Sequence, residues 1–117
     1  MNQADFEALV DEALDELPDD IVRRIENLVI VVEDEPTPEQ DPHNDGLLGL
    51  YEGVSLLERG IDYSGFLPDK ITIFRTPHLQ LGLDETALRH EIRTTVLHEV
   101  AHHLGIDEGR LEELGWD

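Results

Sequence analysis

The stretch His98-Glu99-Val100-Ala101-His102-His103-Leu104-Gly105-Ile106-Asp107-Glu108 carries the main structural signal of this chain. It contains the pattern H-E-x-x-H, in which two histidines stand four residues apart. Residues with this spacing share one face of an α-helix, so the imidazoles of His98 and His102 can converge on one metal ion. Glu99 points about 100° away from His98 and can reach a water on the metal without being a ligand. The pattern is typical of hydrolysis by a zinc-activated water.

The residues before this pattern predict a long helix that carries it. Asp84 is a good N-cap, Glu85 follows in the first turn, and neither Gly nor Pro interrupts the chain up to His98. The apolar positions form one wide arc of this helix: Leu88, Ile92, Val96, Leu97, Val100, Ala101 and Leu104. The two histidines lie on the opposite side, together with Glu91, Thr94 and Thr95. We therefore expect a polar cleft on that side; an ordinary amphipathic helix with solvated histidines is the alternative.

Gly105 predicts how a third ligand would reach the site. Glycine commonly ends a helix in the left-handed conformation, after which the chain turns sharply. Glu108, six residues after His102, is the residue that this turn would deliver, and the adjacent Asp107 is an alternative. Catalytic zinc takes three protein ligands and keeps one open position, and a carboxylate can join two histidines there. The sequence thus predicts Zn²⁺ on His98, His102 and Glu108.

The stretch resembles the metzincin-type consensus H-E-x-x-H-x-x-G-x-x-H/D, although Glu108 stands in the last position and a methionine turn is absent. The chain is more similar to the small bacterial zincin-like metallopeptidases. That likeness runs in separate blocks through Gly49-Leu-Tyr-Glu-Gly53, Leu67-Pro-Asp-Lys-Ile-Thr-Ile-Phe-Arg75, residues 95–108 and Leu111-Glu-Glu-Leu-Gly-Trp116. The resemblance implies a minimal zincin-like domain with zinc on His98 and His102, Glu99 as general base and an acidic third ligand after Gly105.

Composition narrows the class of protein and its partners. A length of 117 residues predicts a single domain over residues 1–117, too small for a deep cleft between subdomains. The 28 acidic and 8 basic residues give a net charge of −20, which disfavours nucleic acid and anionic membranes as partners. No cysteine is available for disulfides or thiolate metal sites. Without a recognisable signal peptide or a long apolar run, we expect a cytoplasmic protein.

Periodicity along the rest of the chain predicts an α+β fold. Helices are expected at residues 5–17 and 21–26, a buried strand at 28–32, a second strand at 48–52 and a half-buried, alternating strand at 70–75. An acidic loop of about residues 33–45 contains three prolines and is expected to be mobile. Residues 53–67 form a connection, and 77–82 lead to the motif helix. A small mixed sheet of about three strands would pack with the helices, the active-site helix lying near the C-terminus.

Residues outside the pattern are expected to have structural roles. His103 falls on the apolar arc and is interpreted as a partly buried packing residue; a residue that supports the metal ligands from behind is the alternative. The remaining histidines are interpreted as surface residues: His43, His78 and His90. Leu114 and Trp116 are expected to close the core, while Tyr51 and Tyr63 could stabilise a tetrahedral intermediate if they lie near the metal. Either strand 48–52 or strand 70–75 could bind an extended substrate at the sheet edge, or be a protected structural edge.

The leading hypothesis is a zinc metallopeptidase that acts on a peptide or unfolded protein. Glu99 would take a proton as water attacks the peptide carbonyl, and would return it to the leaving amine. Metal affinity should fall below about pH 6, because both histidines must be neutral to bind. A non-catalytic metal- or peptide-binding module on the same scaffold is the alternative. A hydrolase of the bacterial rRNA-processing type would need a later histidine and a basic surface, which this chain lacks.

Overall fold

The computed structural model describes residues 1–53 and 68–114, apart from the side chain of Leu114. This part of the chain contains helices α1 (Gln3–Asp15), α2 (Asp19–Val22), α3 (Arg75–Leu79), α4 (Glu85–Leu104) and α5 (Glu108–Leu114). Its strands are β1 (Leu28–Glu33), β2 (Gly49–Glu52) and β3 (Asp69–Phe74). The predicted α+β fold, with its three-stranded mixed sheet and its motif helix near the C-terminus, is confirmed. The connection at 54–67, Tyr63 and Trp116 lie outside the described residues.

The sheet has the order β1-β3-β2, so β3 is its middle strand. β1 runs parallel to β3, with Ile30 opposite Ile71, and β2 runs antiparallel, with Tyr51 opposite the same residue. β2 also packs against α4, the helix that carries the metal-binding pattern. The sheet thereby places one outer strand directly beside the candidate site.

Burial of two strands differs from the prediction. β1, expected to be buried, is only half-buried, and Val29 keeps 42% of its surface exposed. β3, expected to be half-buried, is buried at every position except Lys70, and even Thr72 is 1% exposed. The reason is strand order: β3 is covered by a neighbour on each side, whereas the apolar run of β1 stands at an edge of the described sheet.

The hydrophobic core lies between α1, the sheet and α4. α1 supplies Phe6, Leu9, Val10 and Ala13, and its N-terminus is capped by Asn2, which accepts a hydrogen bond from the Asp5 N–H at 2.8 Å. All seven residues of the predicted apolar arc of α4 are buried: Leu88, Ile92, Val96, Leu97, Val100, Ala101 and Leu104. Burial of this arc fixes the orientation of α4 and leaves its other face for the site.

The acidic loop makes hydrogen bonds within itself and to α3. The Asp41 carboxylate accepts bonds from the backbone N–H groups of Asp45 (3.0 Å) and Leu47 (3.2 Å). These backbone donors lower the pKa of Asp41. Arg75 donates through Nε to Asp34 at 2.9 Å, which ties the start of the loop to α3.

Two short helices depart from the sequence expectations. α2 covers only Asp19–Val22, not residues 21–26. α3 follows directly on β3 and was not predicted, because it is five residues long and contains Pro77. No helix in the described part of the chain combines the length and the apolar character needed to cross a membrane.

Candidate active site

The ends of α4 are as the sequence predicts. The Asp84 side chain caps the N-terminus and accepts a hydrogen bond from the Ala87 N–H at 2.8 Å. Gly105 ends the helix in the left-handed conformation, with φ of 78°. The Ile106 N–H then bonds back to the Ala101 carbonyl at 2.8 Å, so the chain turns immediately after the motif.

His98, Glu99 and His102 lie together at one side of α4. Glu99 is buried, with 7% of its surface exposed, whereas His98 is half-buried and the His102 side chain is 54% exposed. His102 Nδ1 lies 3.1 Å from Glu99 Oε1. Within the described residues, the His98 ring has no hydrogen-bond partner. The motif histidines therefore keep ring nitrogens that the protein core does not use.

Glu99 is a buried carboxylate, and only part of its hydrogen-bonding capacity is satisfied. Its Oε2 atom is buried and finds no hydrogen-bond partner among the described residues. Burial raises the pKa of Glu99, and the charges that His102 and His98 can carry oppose this effect. An unsatisfied carboxylate oxygen beside two imidazoles fits a cation such as zinc, since nitrogen and oxygen donors suit this metal.

A small cavity opens beside these residues, with a volume of about 280 Å³. Its lining comes from β2 and α4: Leu48, Gly49, Glu91, Thr94, Thr95, His98 and Glu99. A cavity is thus present on the predicted face, next to Glu91 and the two threonines, but its accessible lining is more apolar than polar and His102 does not line it. Its volume lies at the lower end of ligand pockets, which agrees with the expected shallow cleft.

Gly49 lets β2 approach the helix. A Cβ atom at this position would lie 2.7 Å from Thr95 Cγ2 and 3.2 Å from Glu99 Cγ, so any larger residue would push the strand away. This role of Gly49 was not predicted from the sequence. The available signal was a glycine at the start of a predicted strand, where close approach of another element is one common reason for it.

The structure does not join the predicted third ligands to the motif. Glu108 is the first residue of α5 and is exposed. Asp107 caps the same helix, because its Oδ1 accepts a hydrogen bond from the Arg110 N–H at 2.8 Å. No three His, Asp or Glu side chains form a metal-binding group within residues 1–53 and 68–114.

Comparison with known protein families complements this geometry. The family model of the zincin-like metallopeptidases matches residues 25–116, which includes the whole sheet, α4 and the motif. The chain belongs to this family. The resemblance drawn from the sequence is confirmed, and so is a fold compatible with a zincin-like domain.

A solved structure of a conserved hypothetical protein from the bacterium T. thermophilus is similar to this zincin-like protein. The two chains are 26% identical and superpose with a TM-score of 0.60, over 99% of this chain and 100% of the other. No curated protein matches the chain.

In this zincin-like protein, His103 is more than a packing residue. Its side chain is completely buried, with Nδ1 2.8 Å from Asp69 Oδ2. Its Nε2 accepts a hydrogen bond from the Glu26 backbone N–H at 3.2 Å. Because Nε2 faces a donor, the ring is neutral and carries its proton on Nδ1, which donates to the carboxylate. His103 thereby connects α4 to β3 and to the segment before β1.

His78 is also buried, so its prediction as a surface residue is wrong, while His90 and His43 are exposed as expected. Nδ1 of His78 donates to the Phe74 carbonyl at 2.7 Å, and Nε2 lies 3.0 Å from the Thr95 hydroxyl. Burial lowers the pKa of His78. The error arose because α3, which carries this residue into the core, was not predicted.

Proposed function

We propose that this protein is a zinc-dependent metallopeptidase that cleaves extended or unfolded protein segments. The observation that carries the proposal is Glu99: a buried carboxylate with a free Oε2 atom, placed between two histidines on the same helix. Membership of the zincin-like metallopeptidase family supports the same reaction class.

His98, His102 and Glu108 are the proposed zinc ligands. When bound, zinc would polarise the substrate carbonyl and lower the pKa of a water toward ~7. Glu108 is preferred over Asp107, whose carboxylate is already bound to the start of α5. In the described part of the chain, by contrast, the Glu108 carboxylate has no hydrogen-bond partner and is exposed.

Glu99 is the proposed general base. Its pKa, raised by burial, brings its proton affinity closer to that of a base working near neutral pH. The unpartnered Oε2 would take the proton from the attacking water, while Oε1 lies against His102. The protonated carboxyl would then give the proton to the leaving amine, and so return to its starting state.

β2 is the proposed binding edge for substrate. Of the two strands considered from sequence, β3 is paired on both sides, whereas β2 is an outer strand of the described sheet. Leu48 and Gly49, at its start, line the cavity beside Glu99. An extended peptide could add to this edge by backbone hydrogen bonds, and the net charge of −20 would favour basic segments.

A metal- or peptide-binding module without turnover is the second candidate. It is favoured by the small cavity of about 280 Å³ and by the lack of a three-ligand group in the described residues. The peptidase requires both metal and Glu99, whereas the module, with or without metal, does not require Glu99.

The deciding experiment uses wild type, Glu99→Gln and the control Glu85→Gln, whose side chain is exposed on the same helix. Metal content is measured after purification without a chelating resin, and cleavage is followed on an unstructured protein. We expect zinc in all three and cleavage by wild type and Glu85→Gln only, with Glu99→Gln reduced by at least ~100-fold. Cleavage by Glu99→Gln at the wild-type rate would refute the role of Glu99. Zinc in all three without cleavage of any substrate would favour the module.

A further inference from the structure

One face of β2 contacts both Glu99 and His102 of the motif helix α4. Gly49 and Tyr51 are two residues apart on this strand, so they share a face. Gly49 lies against Glu99, as its close approach shows. The Tyr51 ring lies beside the His102 ring, with centroids 6.3 Å apart and planes inclined at 50°. The strand therefore places a residue without a side chain next to the Glu99 carboxylate, and an aromatic ring next to the His102 imidazole.

We propose that Tyr51 is a positioning residue for His102, which rests on the zinc site proposed above. The His102 side chain is 54% exposed, so its rotamers are not restricted on the side that faces solvent. An aromatic ring on the other side excludes some of these rotamers before a metal binds. Metal binding then has less side-chain freedom to remove, which increases affinity without a direct contact to the ion.

The Tyr51 ring can serve in this way because its far end is anchored. Its hydroxyl donates to Asp69 Oδ2 at 2.5 Å, a short bond of the kind that ionised acceptors form. The same oxygen accepts the His103 Nδ1–H at 2.8 Å. Asp69 is 2% exposed, and its own backbone N–H donates to the Asn27 carbonyl at 2.9 Å. The hydroxyl is thus engaged in the interior and is not directed at the motif as a transition-state donor.

The Tyr51 ring also contacts two consecutive histidines, of which His103 is buried and His102 is exposed. Its ring contacts His103 edge-on, with centroids 6.1 Å apart and planes at 63°, while the other contact is to His102. His103 is held by hydrogen bonds at both ring nitrogens, so this side of the tyrosine cannot move freely. Because His103 is fixed and contacts the Tyr51 ring, that ring is fixed in turn and limits the movement of the His102 side chain.

The test compares Tyr51→Ala and Tyr51→Phe with wild type and with Leu9→Ala, a core control in α1. Zinc affinity is measured by competition with a chelating indicator, at a temperature where every variant is folded. Tyr51→Ala should bind zinc about tenfold more weakly. Tyr51→Phe keeps the ring but lacks the anchoring hydroxyl, so its zinc affinity should lie between those of Tyr51→Ala and wild type. Leu9→Ala should be destabilised with unchanged affinity.

A second readout needs no metal. In the metal-free protein, the ring-proton NMR signals of His102 should be displaced by the tyrosine ring current in wild type and Tyr51→Phe, and should move toward solvent-exposed values in Tyr51→Ala. Unchanged His102 signals, or unchanged zinc affinity in folded Tyr51→Ala, would overturn the inference and leave the proposed function intact. Wild-type protein that binds no zinc would overturn the proposed function itself, together with the link from Tyr51 to the metal.

Discussion

Four histidines on or near α4 form two pairs that differ in what their ring nitrogens contact. His78 and His103 are completely buried, and each ring nitrogen faces a protein partner. His98 and His102 are more accessible, and in the described part of the chain the Glu99 carboxylate is the only hydrogen-bonding or ion-pairing group beside either of them. A histidine whose two nitrogens are satisfied holds the fold, and one with a free nitrogen can bind an ion.

The sharpest way to break this comparison is to remove one histidine of the accessible pair. His98→Ala should lose stoichiometric zinc completely, because the two proposed ligands that remain are too few to hold the ion. The unfolding free energy of the metal-free protein should change by less than ~1 kcal/mol, since no hydrogen bond of the described residues is lost. Metal analysis and urea unfolding check the two parts, and a His98→Ala protein that keeps one zinc per chain would show that the site is elsewhere.

The difference between the pairs also explains how much the sequence could predict. The motif pair, the Asp84 cap and the turn at Gly105 depend on residues within a few positions of one another, so spacing alone predicts them. The bond from His103 to Asp69 spans 34 positions and the bond from Tyr51 to Asp69 spans 18, and no periodicity encodes such pairs. Reversed burial of β1 and β3 has the same origin, because strand order is a property of the whole sheet.

A substitution in the buried pair should instead lower the unfolding free energy of the protein. His103→Leu removes the donor to Asp69 Oδ2 and the acceptor of the Glu26 N–H, and so leaves a buried carboxylate with one partner fewer. We expect a loss of about 3 kcal/mol in unfolding free energy, typical for breaking a buried charged hydrogen bond. Urea unfolding of the metal-free protein measures it.

The control for this variant is His90→Leu, since His90 is exposed on the same helix. Its stability should stay within ~0.5 kcal/mol of wild type. If His103→Leu were equally neutral, the bonds to Asp69 and Glu26 would contribute no net stability, and burial alone would not separate the two pairs of histidines.

The smallest effect concerns the charge state of His78. Its pKa is lowered, chiefly by burial, although the Phe74 carbonyl and the charge of Glu91 oppose the shift. The neutral ring donates from Nδ1 to the Phe74 carbonyl, and Nε2 lies 3.0 Å from the Thr95 hydroxyl, whose one proton can go either to this nitrogen or to the Glu91 carbonyl at 3.0 Å. An unfolded histidine takes up its proton near pH 6.5, whereas folded His78 takes it up only at lower pH. Between these two values the unfolded state binds more protons, so stability must fall as pH falls.

Urea unfolding of the metal-free protein from pH 7.5 to 5.5 tests this, in wild type and in His78→Gln. The slope due to one group is at most about 1.4 kcal/mol per pH unit, and His78→Gln should have a shallower slope below pH 6.5. Glu99 acts in the opposite sense: its raised pKa makes stability fall as pH rises through the folded value. Both proteins therefore carry Glu99→Gln, which removes that contribution from each. Equal slopes would mean that the folded and unfolded states bind the His78 proton alike, so that burial does not lower the pKa of this ring.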